Sequence, residues 1–220
     1  MIPEKKSAPV SQQIARLLLR SQAVALRPTA PFRFASGLLS PIYCDNRILL
    51  SLPRQRRQVI RRFAELVRGT PLPADVIAGT ATAGIPHAAW LAAELRLPMV
   101  YVRSQSKDHG KAQLVEGLLT AGQRTLVVED LVTTGGSSLN SVAALRQAGA
   151  VVEHVLAIFT YGFPATHEAF AQHGVQLHAL STLPALLDVA VADRYLSPDE
   201  RAMVAEWAND PNEWSRRHEP

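Results

Sequence analysis

The sequence predicts an α/β protein with a doubly wound, mostly parallel sheet and helices on both faces. Two observations carry that prediction. Short and nearly continuous apolar runs recur along the middle of the chain: DVIAGT (75–80), MVYVR (99–103), RTLVVED (124–130) and VVEHVLAIFTY (151–161). Between them lie helix-like segments, AGIPHAAWLAAELR (83–96) and SSLNSVAALRQAG (137–149). Strands that are apolar throughout are buried on both faces, and alternation of strand with helix builds parallel pairs.

Taken in order, the elements begin with SQQIARLLLRSQAVAL (11–26), where Ile14, Leu17, Leu18 and Val24 fall at helical spacing, so an amphipathic helix is expected to stop before Pro28. FRFASGLLSPIYCDNR (32–47) reads as a short hairpin, because Ser-Gly and Ser-Pro are turn pairs flanked by aromatic and β-branched residues. The next helix, LPRQRRQVIRRFAELVRG (52–69), has an apolar face of Val59, Ile60, Phe63, Leu66 and Val67. Its Arg54, Arg57 and Arg61 lie elsewhere on the surface and read as a solvated face rather than a nucleic-acid contact. Ser197-Pro198-Asp199-Glu200 is a capping box with proline at the first helical position, which starts a C-terminal helix. The expectation is one domain over 1–220: a hood of helix and hairpin at about 11–50, a core at about 51–180 and C-terminal helices at about 181–220.

Composition narrows the function classes. At 47% hydrophobic and 19% charged residues the chain is an ordinary globular protein. It contains no apolar run of membrane-spanning length, and MIPEKKSAPVSQQ lacks the apolar core of a secretory signal, so a cytoplasmic location is expected. The single cysteine, Cys44, excludes an internal disulfide and a cysteine-based zinc site. His87, His154, His167, His173, His178 and His218 show no metal-ligand spacing. The net charge of +4 permits anionic ligands without choosing among them.

The chemistry concentrates in TLVVEDLVTTGGSSLNSV (125–142). Leu126 to Val128 read as the end of a buried strand and Ser138 as the start of a helix. Glu129 to Ser137 then fall in the crevice beyond the carboxyl ends of the strands, where open α/β sheets bind ligands. Gly135 and Gly136 allow a tight turn, and the N–H groups of Thr133 to Ser138 suit a phosphate. Neither G-x-x-x-x-G-K-[ST] nor G-x-G-x-x-G is present, and no G-x-S-x-G or Ser-His-Asp order stands out. Adjacent acids repel a phosphate but accept hydrogen bonds from the vicinal hydroxyls of a ribose and offset positive charge that develops on a sugar ring. A ligand carrying both ribose and phosphate satisfies both halves of the motif. SQSKDHGKAQ (104–113), polar and with little to bury, reads as a solvated loop or a lid.

VVEDLVTTGGSSL resembles the phosphoribosyl pyrophosphate (PRPP) motif of the type I phosphoribosyltransferases. YVRSQSKDHGK, FRFASGLLSPIYCDNR and VIAGTATAGIPHAAWLA are similar to segments of the members that act on orotate, so the likeness runs from about Phe32 to Tyr161. The resemblance implies the fold of that family, with ribose 5-phosphate transferred from PRPP to orotate and pyrophosphate released. It places PRPP on Arg103, Lys107, His109, Glu129, Asp130, Leu131, Val132, Thr133, Thr134, Gly135, Gly136 and Ser137. It makes Arg103, Lys107 and His109 the catalytic lid residues and Thr133 a contact to orotate. It implies Mg²⁺ held mainly through PRPP, with no direct side-chain ligand, and a homodimer whose lid reaches the partner's site. No covalent intermediate is expected. Ser104 stands where many relatives carry lysine, with Lys111 as the nearest replacement. Ala35, Ala83 and Tyr161 occupy positions that are often Lys or Arg, which leaves the base to Thr133, backbone groups and Arg47. A purine acceptor and a PRPP-sensing regulator are the alternatives, and a lid carrying Lys107 and His109 argues for catalysis.

Overall fold

The computed structural model describes residues 8–34, 36–104 and 114–219. The chain forms two compact units, one made of residues 1–45 and 181–220 and the other of residues 46–180.

In the first unit, helix α1 (Val10–Arg20) is followed by strand β1 (Val24–Leu26). The expected helix through Leu26 is therefore too long. Gln22 adopts a left-handed conformation, φ 59°, and Val24 to Leu26 pair antiparallel with β4 (Ile42–Cys44). Val24 is buried as its spacing required, but on a ladder rather than a helix face. The expected hairpin is present as β2 (Phe32–Arg33) and β3 (Leu39–Ser40), paired antiparallel. From Ser181 the chain returns to this unit and forms α6 (Leu183–Ala192), α7 (Pro198–Asn209) and α8 (Pro211–Arg217). Helix α1 packs on α6, where Arg16 Nε donates to both carboxylate oxygens of Asp193 at 3.1 and 3.0 Å. The capping box at Ser197 and Glu200 is formed in both directions.

The second unit opens with a 3₁₀ turn (Asn46–Ser51) and α2 (Pro53–Gly69). Then come β5 (Val76–Thr80), α3 (Gly84–Leu95), β6 (Met99–Val102), β7 (Val115–Glu116), β8 (Thr125–Val132), α4 (Gly136–Gln147), β9 (His154–Thr160), α5 (Pro164–Gln172) and β10 (Gln176–Thr182). The sheet order is β10-β9-β8-β5-β6-β7. Strand β5 runs parallel to β6 and β8, β8 runs parallel to β9, and the two-residue β7 is paired antiparallel to β6. Strand β7 is absent from the sequence reading because two residues carry no periodicity. Val76, Ala78, Val100, Val127, Val155 and Ala157 belong to the core on the sheet, and Leu139, Val142, Leu145 and Phe170 cover it from α4 and α5.

Strand β8 also runs further than expected. Its pairing with β9 continues through Leu131 with Phe159 and Val132 with Thr160, so Glu129 to Val132 sit on the strand. Helix α4 starts at Gly136, just ahead of the expected start at Ser137 to Ser138. The turn between them shrinks to Thr133, Thr134 and Gly135. This places both acids and the turn on rigid backbone at the sheet's carboxyl edge.

Candidate functional site

Glu129 is 4% exposed, and what surrounds it explains how a carboxyl survives there. Ser137 Oγ donates to its Oε2 at 3.2 Å, Ser138 Oγ to the same oxygen at 3.4 Å, and the Asp130 amide to Oε1 at 3.2 Å. Burial first, and then the charge of Asp130, push the Glu129 carboxyl up to about 8. Burial also raises Asp130, while the nearby Arg47 guanidinium pulls it the other way. Two adjacent carboxyls in a partly desolvated place do not both ionise freely, so both are held above the ordinary carboxylate range. Asn46, fully buried, donates from Nδ2 to the Asp130 carbonyl at 2.7 Å and anchors this end of β8.

The turn after the acids is shaped for an anion. Gly135 has φ 87°, a left-handed value that glycine adopts without cost, and α4 follows at once. The amides of Thr134, Gly135, Gly136 and Ser137 meet no backbone acceptor among the described residues. Thr133, Thr134, Gly136 and Ser137 are exposed, so their donors face outward. First-turn amides at a helix start favour negative charge.

Arg103 follows the end of β6, the neighbour of β5, and its backbone amide donates to Leu114 O at 2.9 Å. Its Nη1 is shielded from solvent, has no hydrogen-bond acceptor among the described residues, and lies 3.6 Å from Glu116 Oε1. Arg103 and Ser137 line one cavity of about 360 Å³, together with Thr80, Ala81, Asn140 and Ser141. The structure thus brings Arg103 and the turn that follows β8 to one opening. Lys107 and His109, with Gln105 and Lys111, lie outside the described residues, as does Ala35. A wider hollow of about 710 Å³, with Glu153, His154, His167 and His178 on its wall, holds none of the motif residues.

Several features of this region escaped the sequence reading. The turn Thr80 to Ala83, with a cis peptide between Ala81 and Thr82, faces the same cavity through Thr80 and Ala81. Gly84 packs α3 onto the end of β8, and only its glycine identity in TAGIP hinted at a close approach. Tyr161 is 6% exposed and stacks on Phe163 at 5.4 Å, so its ring belongs to the core. His87 is fully buried on α3 beside Trp90, and burial lowers it to about 4, so it stays neutral. Among the described residues no three His, Cys, Asp or Glu side chains converge as a metal site. No described helix is long and apolar enough to cross a membrane.

A parallel sheet whose central strand carries an adjacent acid pair near its carboxyl end, followed by a three-residue turn into a helix start whose amides meet no backbone acceptor among the described residues, is an arrangement that suits a sugar phosphate. Residues 48–161 match the model of the phosphoribosyl transferase domain, and the chain belongs to that family. Its relatives are more particular. The orotate phosphoribosyltransferase of Coxiella burnetii is 46% identical over 92% of this chain and 97% of its own length. The crystal structure of the Aeropyrum pernix orotate phosphoribosyltransferase is 35% identical with a TM-score of 0.70, over 80% of this chain and 96% of that one. That of the Mycobacterium tuberculosis enzyme in complex with PRPP is 25% identical with a TM-score of 0.62, over 81% and 99%.

Proposed function

We infer that the protein is an orotate phosphoribosyltransferase: it transfers ribose 5-phosphate from PRPP to orotate, giving orotidine 5′-monophosphate and pyrophosphate in pyrimidine synthesis. The observation that carries this reading is the adjacent Glu129–Asp130 pair, with Glu129 buried, five residues ahead of Gly135 and of the α4 amides that meet no backbone acceptor among the described residues. Carboxyls accept from the ribose hydroxyls, and the turn from Thr133 to Ser137 takes the 5-phosphate. Leu131 and Val132 link the two as strand residues, and the Thr133 hydroxyl serves orotate.

Catalysis on this reading is positioning and electrostatics. As the glycosidic bond to pyrophosphate lengthens, positive charge grows on the ribose ring and negative charge on the leaving group. The acid pair faces the first. Arg103, Lys107 and His109 face the second, and charge-assisted hydrogen bonds to phosphate oxygens are worth roughly 1.5 to 3 kcal/mol each. Among the described residues Nη1 of Arg103 has no hydrogen-bond acceptor, which suits a donor reserved for a ligand. Mg²⁺ takes hard oxygen donors, which PRPP's diphosphate and hydroxyls supply, and when bound it neutralises charge on the leaving pyrophosphate. The carboxyls of Glu129 and Asp130 fit the same ion as oxygen groups, without being assigned to it. Both compact units form one functional domain, as the similarity over 92% of the chain supports. The working form is a homodimer with the lid reaching the partner's site, located in the cytoplasm, where charge retains the phosphorylated substrate.

The test mixes the protein with PRPP, Mg²⁺ and either orotate or a purine base, and follows base absorbance and pyrophosphate release. Loss of orotate alone is expected. No loss of orotate where PRPP demonstrably binds would sink this reading, and consumption of a purine base would move it within the family.

A further inference from the structure

We propose that Thr166, a residue of α5 outside the PRPP motif, is a positioning residue that aims the Thr134 amide at the 5-phosphate. The proposal rests on the site reading above for the identity of the ligand, and on the following geometry for the residue. Thr166 is 1% exposed, and its Oγ1 donates to the Thr133 carbonyl at 2.7 Å. A trans peptide is planar, with its C=O and the following N–H pointing in opposite directions. Holding the Thr133 oxygen toward α5 therefore turns the Thr134 N–H away from α5. That N–H has no backbone acceptor among the described residues, and Thr134 itself is exposed.

The same side of the turn is held at two more points. Thr160 Oγ1 donates to the Val132 carbonyl at 2.9 Å while accepting the Gly162 amide at 3.1 Å, which fixes the peptide just before. Phe170, 3% exposed, fills the space beside Gly135. A turn that lacks these supports has three peptides free to flip, and each flip removes a donor from the ligand. Thr166 makes its contact through one hydroxyl, so the role is separable from packing: valine keeps the shape and deletes the donor.

The experiment compares the full-length wild type with Thr166→Val and Thr166→Ser, measuring ribose 5-phosphate binding by calorimetry, thermal unfolding, and kcat and KM for PRPP. Thr166→Val is expected to bind ribose 5-phosphate about ten- to a hundredfold more weakly and to raise KM for PRPP by a similar factor, with kcat falling by less than about threefold, the loss of one good hydrogen bond to a charged group. Thr166→Ser should recover most of the affinity. A Thr166→Val protein that folds and binds within twofold of wild type overturns the proposal, as does a serine variant as weak as the valine one. Should the valine variant not fold, titration of ¹⁵N-labelled wild type with ribose 5-phosphate still decides: the Thr134 amide resonance must move downfield, and a stationary resonance overturns the proposal. Absence of turnover with orotate while these binding results hold refutes the proposed reaction and leaves the role of Thr166 standing.

Discussion

Gly84 lies against the carbonyl oxygen of Val128: a Cβ at this position would overlap that oxygen and stand 3.3 Å from the Cα of Glu129. The start of α3 and the end of β8 are thus in backbone contact at the acid pair. Gly84→Ala has no flexible side chain to displace, so α3 must lift or β8 must bend, and overpacking of this kind costs about 1 to 3 kcal/mol. Chemical unfolding should show that loss. Turnover should fall further than the stability change alone explains, because the displaced backbone carries Glu129. Wild-type stability with normal turnover would mean that the contact relaxes freely.

The raised Glu129 carboxyl makes stability depend on pH. Its folded value, about 8, lies above the ordinary glutamate value of 4.5, so between these limits the folded protein holds a proton that the unfolded chain has released. Unfolding free energy then falls as pH rises through that window, with a slope of at most about 1.4 kcal/mol per pH unit from this group. Glu129→Gln, which carries no proton to lose, should flatten the slope and be more stable than wild type at pH 8 to 9. Above pH 8, where wild-type Glu129 is ionised, the same variant should raise KM for PRPP roughly tenfold or more, since an amide accepts more weakly from ribose hydroxyls than a carboxylate does. Unfolding curves at several pH values measure the first effect and steady-state kinetics the second. A slope unchanged by the substitution would show that Glu129 titrates normally.

Much of this was legible in the sequence, and where reading failed the reason is physical. Strands β5, β6, β8 and β9 announced themselves because burial on both faces leaves continuous apolar runs. Glu129, Asp130 and the Thr133 to Ser137 turn announced themselves because acids and glycines at the end of such a run have few structural uses. Val24 misled because a residue at helical spacing from Leu17 is equally well buried on a strand, and only the left-handed Gln22 decides. Leu131 and Val132 fell outside the expected strand because Glu129 and Asp130 interrupt the apolar run, while β9 supplies a ladder that composition does not reveal. Asn46, Thr166 and Phe170 were invisible as site residues because they act across 84, 33 and 35 positions of sequence, on the backbone of the motif or on a glycine within it.

Gly135 and Phe170 should be energetically coupled. An alanine Cβ at position 135 would lie 2.5 Å from Phe170 Cε2, and φ is 87° there. The left-handed backbone alone costs about 1 to 2 kcal/mol for a residue with a side chain, and the ring overlap adds to it. Phe170→Leu alone should lose about 1 kcal/mol or more of packing. In the double variant the overlap is relieved, so its loss should be smaller than the sum of the two single losses by about 1 kcal/mol. A double-mutant cycle on unfolding free energies gives the value. Strict additivity would mean that the ring already moves aside in Gly135→Ala.

Arg103 separates stability from catalysis. Its ion pair with Glu116 is 3.6 Å long, beyond hydrogen-bond distance, between side chains 27% and 34% exposed, and a part-exposed pair of that length contributes under about 1 kcal/mol. Arg103→Gln should therefore melt close to wild type. Turnover should drop about a hundredfold or more, the usual consequence of removing one preorganised donor from a developing anion. Lys107→Ala, in the segment that resembles the family's lid, should behave alike, with the fold intact and turnover lower by orders of magnitude. The measurement is kcat with saturating PRPP beside a thermal melt of each variant. Near wild-type rates for Lys107→Ala would mean that the lid is assigned to the wrong residues, and a large loss of stability in Arg103→Gln would mean that the Glu116 pair is structural.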